Sequence, residues 1–355
     1  MRPSAIPGRR KTTVRLLAAG AAVALLGFSA VLSRTSIEPL SQTAAAGDDK
    51  TTANAVAKAG AFLDTLDAGQ RGKALLDYDS AKKPSWSNLP VTMVPRNGLA
   101  LGDLTKLQRA AALEALAAVL SKEGYQKAID IMNADDQLIK GNDNKMKFGT
   151  ENYYIALFGT PSTTKPWMLQ FGGHHLGINV TIVGKNAVLT PTHTGTQPDS
   201  FTRAGKTVRP LGPENDLAFK LVNMLDAEQQ KQAVLGAKPR NLALGPGQDG
   251  KTIPPEGLKG TALNKDQRAT LVELIGAWVH ILPEPAAASR MNAIKDKLDD
   301  TYFAWYGPTA KGSAVYFRIQ GPTLLIEYAP QGGTNHIHTI IRDPGNDYAK
   351  ELTKR

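Results

Sequence analysis

The sequence has no cysteine among its 355 residues. Disulfide bonds, a lipid anchor attached through cysteine, thiolate metal sites and cysteine nucleophiles are therefore excluded. Any metal must be held by histidine, aspartate, glutamate or asparagine. Histidine is scarce as well, with six in the chain, so each imidazole can be considered individually.

Several catalytic motifs are missing too. The sequence contains no G-x-S-x-G elbow, no G-x-x-x-x-G-K-[ST] loop, no H-E-x-x-H helix and no acidic calcium loop with EF-hand spacing. The pair Gly172-Gly173 lacks the strand-to-helix context of a nucleotide-binding loop. We therefore expect no nucleotide or other organic cofactor.

Composition indicates a folded protein without a nucleic-acid partner. Hydrophobic residues make up 42% and charged residues 21% of the chain, which is typical of globular proteins. Five of the basic residues lie in residues 1–33, which contain no acid, so the net charge of +10 falls to +5 for a chain that starts after Ser33. No basic stripe interleaved with aromatic residues is present, and we expect no nucleic-acid binding.

The amino terminus has the three parts of an export signal: a basic start, an apolar run over residues 16–32, and small residues after it. We predict a signal peptide at 1–33, a flexible mature start at 34–56, and a secreted or cell-envelope location. Cleavage after Ser33 and cleavage near Ala44–Ala46 both stay open. So does an uncleaved membrane anchor, because an apolar run of 17 residues is at the lower limit for a spanning helix.

The sequence repeats itself. The segment LDAGQ at Leu66 recurs 159 residues later as LDAEQ at Leu225. At the same offset, LTKLQRAAL from Leu104 recurs as LNKDQRATL from Leu263. Self-similarity at a fixed offset is the signature of duplicated structural units.

Further along, the offset becomes 148 because the first copy holds about eleven extra residues in the polar stretch 133–147. We predict two tandem pseudo-symmetric repeats at 57–200 and 213–348, with a connector at 201–212 and a tail at 349–355. Each repeat is expected to contain two or more helices followed by antiparallel strands, so the predicted fold class is α+β.

Local signals support this organisation. β-branched and aromatic residues predict paired strands over 167–183 and 314–328. The Pro/Gly-rich stretch 245–260 predicts a loop, which corresponds to 83–101 in the first repeat. Four helix starts have capping-box spacing, in which Asp, Thr or Asn is followed three residues later by Gln: Asp67, Thr105, Asp226 and Asn264.

The first histidine cluster is in FGGHHLGINV. Strand alternation would put His174 on the apolar face and His175 on the face of Asn179, so His175 is the better ligand candidate. For His174, two interpretations stay open: a hydrogen-bonded residue at the margin of the core, or a catalytic group. The repeat alignment places His175 over Thr323 and Asn179 over Glu327. Two explanations of this divergence stay open. Either one site built from residues of both repeats has survived, or the residues have drifted on a solvated face.

The second cluster is the His-x-His pair His336 and His338 on a predicted strand. Both rings then project to one side, a spacing that lets two imidazoles share one divalent metal. We predict a site in which His175, His336 and His338 bind zinc or copper, with Glu327 as a further ligand or as the general base.

The remaining candidates have weaker signals. Asp343 lies in a polar turn, where it either orients a ligand histidine or only provides turn chemistry. Arg318 either holds an anionic substrate or is an ordinary surface arginine. His193 is expected in an accessible loop, and His280 is expected to pack or cap at a helix end.

Several segments together resemble an uncharacterised bacterial family, the domain-of-unknown-function family 3500. They are FGGHHLGINVTIVG, LTPTHTGTQP, YFAWYGP, YFRIQGPTLLIEYAPQ and NHIHTIIRDPGNDYAKEL, and they span most of the chain after residue 33. The resemblance implies an exported protein with a recurring set of histidines and acids. It implies no particular activity.

From these observations we expect an exported metal-dependent enzyme, most simply a hydrolase acting on a small molecule or peptide, or a copper oxidoreductase if the metal is copper. A membrane contact is expected only through residues 16–32, if they are retained. Two alternatives stay open. One is a non-catalytic protein that binds a metal or small ligand outside the cytoplasm. The other is a structural envelope protein whose histidines only bind one another.

Overall fold

The computed structural model describes residues 49–140 and 143–354. The predicted signal peptide at 1–33 and most of the predicted flexible start at 34–56 lie outside these residues. Within the described residues, no helix combines the length and the apolar character needed to cross a bilayer.

Four of the described helices begin where the capping signals predict. At Asp67, Thr105, Asp226 and Asn264 the side chain accepts a hydrogen bond from the N–H three residues on, and the Gln there accepts one from the capping residue. Such reciprocal bonds satisfy backbone donors that a helix start would otherwise leave unpaired. The helices are α1 Asp49–Asp64, α2 Ala68–Ala74, α3 Lys106–Ala118, α4 Lys122–Gln137, α5 Gly212–Met224, α6 Ala227–Ala233, α7 Lys265–Val279, α8 Ala286–Lys295 and α9 Lys350–Thr353.

The described strands are β1 Leu75–Leu76, β2 Leu99–Ala100, β3 Tyr154–Phe158, β4 Trp167–Gly172, β5 Leu176–Val183, β6 Asn186–Val188, β7 Thr192–Thr196, β8 Phe201–Arg203, β9 Lys206–Val208, β10 Val234–Gly236, β11 Leu258–Lys259, β12 Tyr302–Tyr306, β13 Tyr316–Gly321, β14 Leu324–Pro330 and β15 Ile337–Arg342. Both predicted strand pairs form, as β4 with β5 and β13 with β14. The fold is therefore mixed α+β with a large, mostly antiparallel sheet.

Thirteen strands join in one sheet whose main path runs β1-β3-β4-β5-β7-β15-β14-β13-β12-β10. Strands β2 and β11 pair with β3 and β12, β6 pairs with β5, and β8 and β9 form a separate hairpin. Near the middle of the path, β7 pairs antiparallel with β15, which sets His193 opposite Ile340 and Gly195 opposite His338. This central pairing brings two distant parts of the chain side by side.

The two faces of the sheet differ chemically. One face is apolar and packs on the helices, with Trp167, Trp305 and Phe317 among its largest buried side chains. The other face carries buried polar residues and is covered by the loops 77–98 and 237–257. Their contacts include a small apolar cluster of Trp86, Leu244, Leu325 and Ile340. The predicted histidine site lies on the side of these loops.

Candidate metal centre

Three imidazoles converge at one edge of the loop-covered face. The Nε2 atom of His336 lies 2.8 Å from Nε2 of His175 and 3.0 Å from Nε2 of His338. One ligand nitrogen from each of the three residues lies within 4.8 Å of the others. His175 and His338 are buried, whereas His336 is half-buried, so the cluster opens towards solvent at His336.

These separations are close to those of a metal site. A tetrahedral zinc ion with Zn–N bonds of 2.0–2.1 Å holds its nitrogen ligands about 3.3 Å apart. The observed nitrogen separations are a few tenths of an ångström shorter, a difference that a small rotation of one ring removes. Buried His and Asp groups of this protein can therefore hold a metal ion.

The chain places His175 by a sharp bend rather than by a strand. Residues 173–175 connect β4 to β5, and His175 has a left-handed backbone with φ of 64°. The prediction of continuous strand alternation through the two histidines is therefore wrong. A side chain at Gly172 would put its Cβ 2.3 Å from the carbonyl oxygen of Leu176, so the tight connection requires glycine there.

Neighbouring polar groups hold the rings. Asn88 Nδ2 lies 3.2 Å from Nδ1 of His338. Asp135 Oδ1 lies 2.6 Å from Nδ1 of His174, whose ring centroid is 3.6 Å from that of His175. The other Asp135 oxygen accepts a hydrogen bond of 2.7 Å from the Gly149 N–H. A partner that accepts the ring N–H, as Asp135 does for His174, fixes the tautomer and orientation of an imidazole.

Asp135 was not predicted, although the sequence carries a signal for it. It is 1% exposed and lies on the same buried stripe of α4 as Ala128, Ile131 and Met132. An acid on an apolar helical face needs a buried partner, because an unpaired buried charge is costly. The pattern thus indicates a partner for Asp135 but does not identify it as His174.

Burial keeps four of the histidines neutral. Desolvation is the main cause that lowers the pKa of His338 to about 2, that of His193 to about 3 and that of His336 to about 4. Desolvation, followed by the nearby histidines, also lowers the pKa of His175 well below its usual value. Neutral imidazole is the form that binds metal, so the free site needs little or no deprotonation at neutral pH.

His193 differs from its prediction. It is fully buried in β7 and not in an accessible loop. Its Nδ1 lies 3.2 Å from the carbonyl oxygen of His175, and its ring centroid is 5.3 Å from that of His338. Its Nε2 is buried without a hydrogen-bond partner among the described residues. His280 is the capping residue at the carboxyl end of α7, as predicted. Its Nδ1 lies 3.6 Å from Glu284 Oε1.

The structure gives Glu327 other partners than the histidines. Its carboxylate accepts hydrogen bonds of 2.7 Å from the N–H groups of Ala243 and Leu244 and one of 2.6 Å from the Tyr316 hydroxyl. Two groups of side chains among the described residues are arranged so that they could hold a metal ion, His175 with His336 and His338, and His175 with His174 and Asp135; Glu327 belongs to neither. Glu327 thus anchors the 237–257 loop to the sheet.

Asn179, which the sequence alignment pairs with Glu327, has a comparable position under the other loop. Its side-chain oxygen accepts a 2.8 Å hydrogen bond from Gln170 Nε2, which also lies 2.9 Å from the carbonyl oxygen of Lys83. Amide and carboxylate therefore each help to hold a covering loop. Their roles in holding the two loops explain why the repeats differ at Asn179 and Glu327, and no site shared between the repeats is needed to explain it.

Arg318 and Asp343 also have partners away from the histidines. Arg318 Nη2 lies 3.0 Å from the carbonyl oxygen of Pro254 and 3.0 Å from Glu256. Asp343 forms an ion pair of 3.1 Å with Arg290, and burial raises its pKa to about 6. Asp343 therefore does not orient a ligand histidine through a direct contact, because its partner is Arg290.

We expect Glu327→Ala to destabilise the fold without removing metal. The substitution leaves the buried Leu244 N–H, the part-buried Ala243 N–H and the Tyr316 hydroxyl without their acceptor, which should lower the free energy of unfolding by about 3 kcal/mol. Urea unfolding and metal content of the same preparation test this. If stability is unchanged and metal is lost, Glu327 is a ligand and the loop-anchor account is wrong.

Comparison with known proteins gives one match. The family described as "Protein of unknown function (DUF3500)" matches residues 48–350. Neither a curated protein nor a solved structure matches the chain. The matched range contains all the histidines and acids discussed above. Because the match covers most of the chain, the chain belongs to the DUF3500 family.

Proposed function

We propose that this protein is an exported metal-dependent enzyme, most simply a hydrolase, whose His175, His336 and His338 bind one zinc or copper ion. The observation that carries the proposal is the convergence of three neutral imidazole nitrogens at a partly open position. Catalytic zinc sites typically have three protein ligands and leave the fourth position to water or substrate, whereas structural sites have four protein ligands.

The metal would supply Lewis acidity and an activated water, whose pKa falls to about 7 in well-studied zinc sites. The chain's own residues have separate tasks. With its amide turned so that the side-chain oxygen faces Nδ1 of His338, Asn88 would accept the Nδ1 proton and leave Nε2 of His338 free for the metal. Asp135 accepts the Nδ1 proton of His174, which leaves Nε2 of His174 as a proton acceptor. His174 is therefore our candidate for proton transfer at this site.

We also propose that the fold consists of two pseudo-symmetric repeats. Elements at the predicted offsets support this, because α2 and α6, β2 and β11, and β3 and β12 have bounds that differ by 159, 159 and 148 residues. The strand order also runs outwards through corresponding strands on both sides of the β7–β15 pair. The metal site would then combine His175 of the first repeat with His336 and His338 of the second.

A structural role for the histidines is the main alternative. Separations of 2.8 and 3.0 Å also suit hydrogen bonds between imidazoles, in which one ring donates and the next accepts. A protein of this kind takes up no metal. A binding protein without catalysis would take up metal but turn over no substrate.

Turnover is tested with the zinc- or copper-loaded protein on ester and peptide substrates, beside the His336→Ala/His338→Ala variant. We expect hydrolysis by the wild type and none above background by the variant. Metal bound in stoichiometric amount with no turnover of either substrate class would favour the non-catalytic binding protein.

We expect Asn88→Ala to weaken metal binding without abolishing it. Loss of an outer hydrogen bond to a ligand histidine usually lowers metal affinity about 10- to 100-fold. Competition with a coloured chelator measures the affinity. His280→Ala serves as the control, because His280 is exposed and lies outside the cluster. Equal affinities for Asn88→Ala and wild type would remove Asn88 from the site.

Export is part of the proposal and concerns residues outside the described range. The apolar run at 16–32 and the basic residues before it support a signal that directs the protein out of the cytoplasm. Mass spectrometry of the protein from its native compartment gives the mature start. A start after Ser33 or near Ala44–Ala46 supports cleavage, and an intact amino terminus supports an anchor.

A further inference from the structure

Exposed apolar side chains gather near the histidine cluster. Within the described residues, the large apolar side chains with substantial exposure are Leu89, Met93, Leu107, Met146 and Leu235. Three of them, Leu89, Met93 and Met146, lie on two short segments that contact the histidines. We call these three residues the apolar rim.

Direct contacts tie both segments to the site. Asn88, the neighbour of Leu89, contacts His338. Two residues after Met146, Phe148 packs on His174 with a ring-centroid separation of 4.7 Å. The Thr92 hydroxyl lies 3.5 Å from the carbonyl oxygen of Met146, which joins the two segments. The two segments that bear the apolar rim are therefore joined to each other and to the histidine cluster.

Arg96 holds the first of these segments in a fixed shape. Its guanidinium donates to the carbonyl oxygens of Ser87, at 2.8 Å, and of Gly173, at 2.9 Å, and also to those of Leu89 and Val94. Burial lowers the pKa of Arg96 to about 10, which still leaves it charged at neutral pH. One cation thus fastens the rim segment to the bend that carries His175.

A surface held in this way is suited to ligand binding. Leu89 and Met93 are 40% and 59% exposed although Arg96 fixes the segment that bears them through three of its backbone carbonyls. Exposed apolar groups beside a polar site often mark where a ligand binds. Because the segment is already ordered, a ligand that covers it loses little of its binding energy to ordering the protein.

Resting on the proposed metal centre, we infer that the ligand of this protein has a small metal-binding head and an apolar tail of several carbons. The head reaches the metal through the opening at His336. The tail lies on Leu89, Met93 and Met146. Unbranched acyl or alkyl compounds with an oxygen-donor head group have this chemistry, whereas small hydrophilic substrates do not use the rim.

Two hydroxamates of different tail length test the inference by calorimetry on the zinc-loaded full-length mature protein. Acetohydroxamate has the metal-binding head alone, and octanoyl hydroxamate adds six methylene groups. We expect octanoyl hydroxamate to bind at least about tenfold more tightly, since covering two of these groups with protein already accounts for that factor.

The matched variant is Leu89→Ser/Met93→Ser/Met146→Ser, in which all three changes are at exposed positions. We expect it to keep its zinc and its affinity for acetohydroxamate but to lose the preference for the longer tail. Leu235→Ser, at an exposed position on β10, should keep the preference.

The outcomes separate the two proposals. If the wild type binds no zinc, the metal centre itself is disproved and this inference with it. If zinc binds but both hydroxamates bind equally or not at all, the metal centre stands and the apolar rim does not serve ligand binding. A tail preference that persists in the triple variant also overturns the inference.

Discussion

The His336→Ala/His338→Ala variant is expected to lose the stabilisation that zinc gives to the wild type. A ligand that binds only the folded state at one hundred times its dissociation constant raises the free energy of unfolding by about 2.7 kcal/mol. The variant has one of the three proposed ligands left, so the same zinc concentration should give no measurable shift. Thermal unfolding with and without zinc measures the difference.

Two comparisons keep this result interpretable. The far-ultraviolet circular dichroism of the metal-free variant should match that of the metal-free wild type, because most of the core lies on the opposite face of the sheet. His280→Ala should respond to zinc like the wild type. A double variant that is folded and still stabilised by zinc to the same extent would contradict the proposed ligand set.

The metal-free protein is expected to lose stability steeply in mild acid. His175, His193 and His338 have lower pKa values in the folded state than the usual 6.5. The unfolded chain therefore binds more protons below about pH 6.5. The stability is fully present above that pH and falls as the pH drops through it, by up to about 1.4 kcal/mol per pH unit for each histidine.

Two buried acids oppose this trend. Burial raises the pKa of Asp343 to about 6 and also raises the pKa of Asp347, so their folded forms retain protons that the unfolded chain releases. Each acid offsets at most one histidine. Three histidines against two acids leave a net loss of about 1.4 kcal/mol per pH unit between pH 6.5 and 4.5, which is a large part of the stability of a marginally stable protein.

Urea unfolding midpoints in chelator at pH 7.5, 6.0 and 5.0 measure this dependence. His193→Gln removes one of the titrating groups and should flatten it, whatever the variant's stability at neutral pH. Midpoints that stay constant from pH 7.5 to 5.0 would mean that the cluster is hydrated and protonates freely, against the buried geometry.

Local sequence patterns were sufficient for much of the fold. Capping boxes gave the starts of α2, α3, α6 and α7, because the spacing of Asp67 and Gln70, or of Asn264 and Gln267, acts through bonds within one turn. The class and the paired strands β4–β5 and β13–β14 followed from similarly short-range signals. Such features depend only on residues that are near one another in the chain.

The parts of the site that depend on distant pairings were not predictable. His193 faces the cluster because β7 pairs with β15, a contact between residues far apart in sequence. Asp135 contacts His174 because α4 packs over the bend at 173–175. Glu327 was assigned to the histidines because the repeat alignment places it over Asn179, yet the 237–257 loop supplies its partners. No local periodicity contains this information.

The most direct test of the proposed metal centre is elemental analysis of the mature protein, purified without chelator from its native compartment. We predict about one equivalent of zinc or copper per chain, as one three-histidine site requires, and none in the His336→Ala/His338→Ala variant. A wild-type protein that carries no metal and takes up neither zinc nor copper would contradict the proposal and leave the histidines as hydrogen-bonded structural groups.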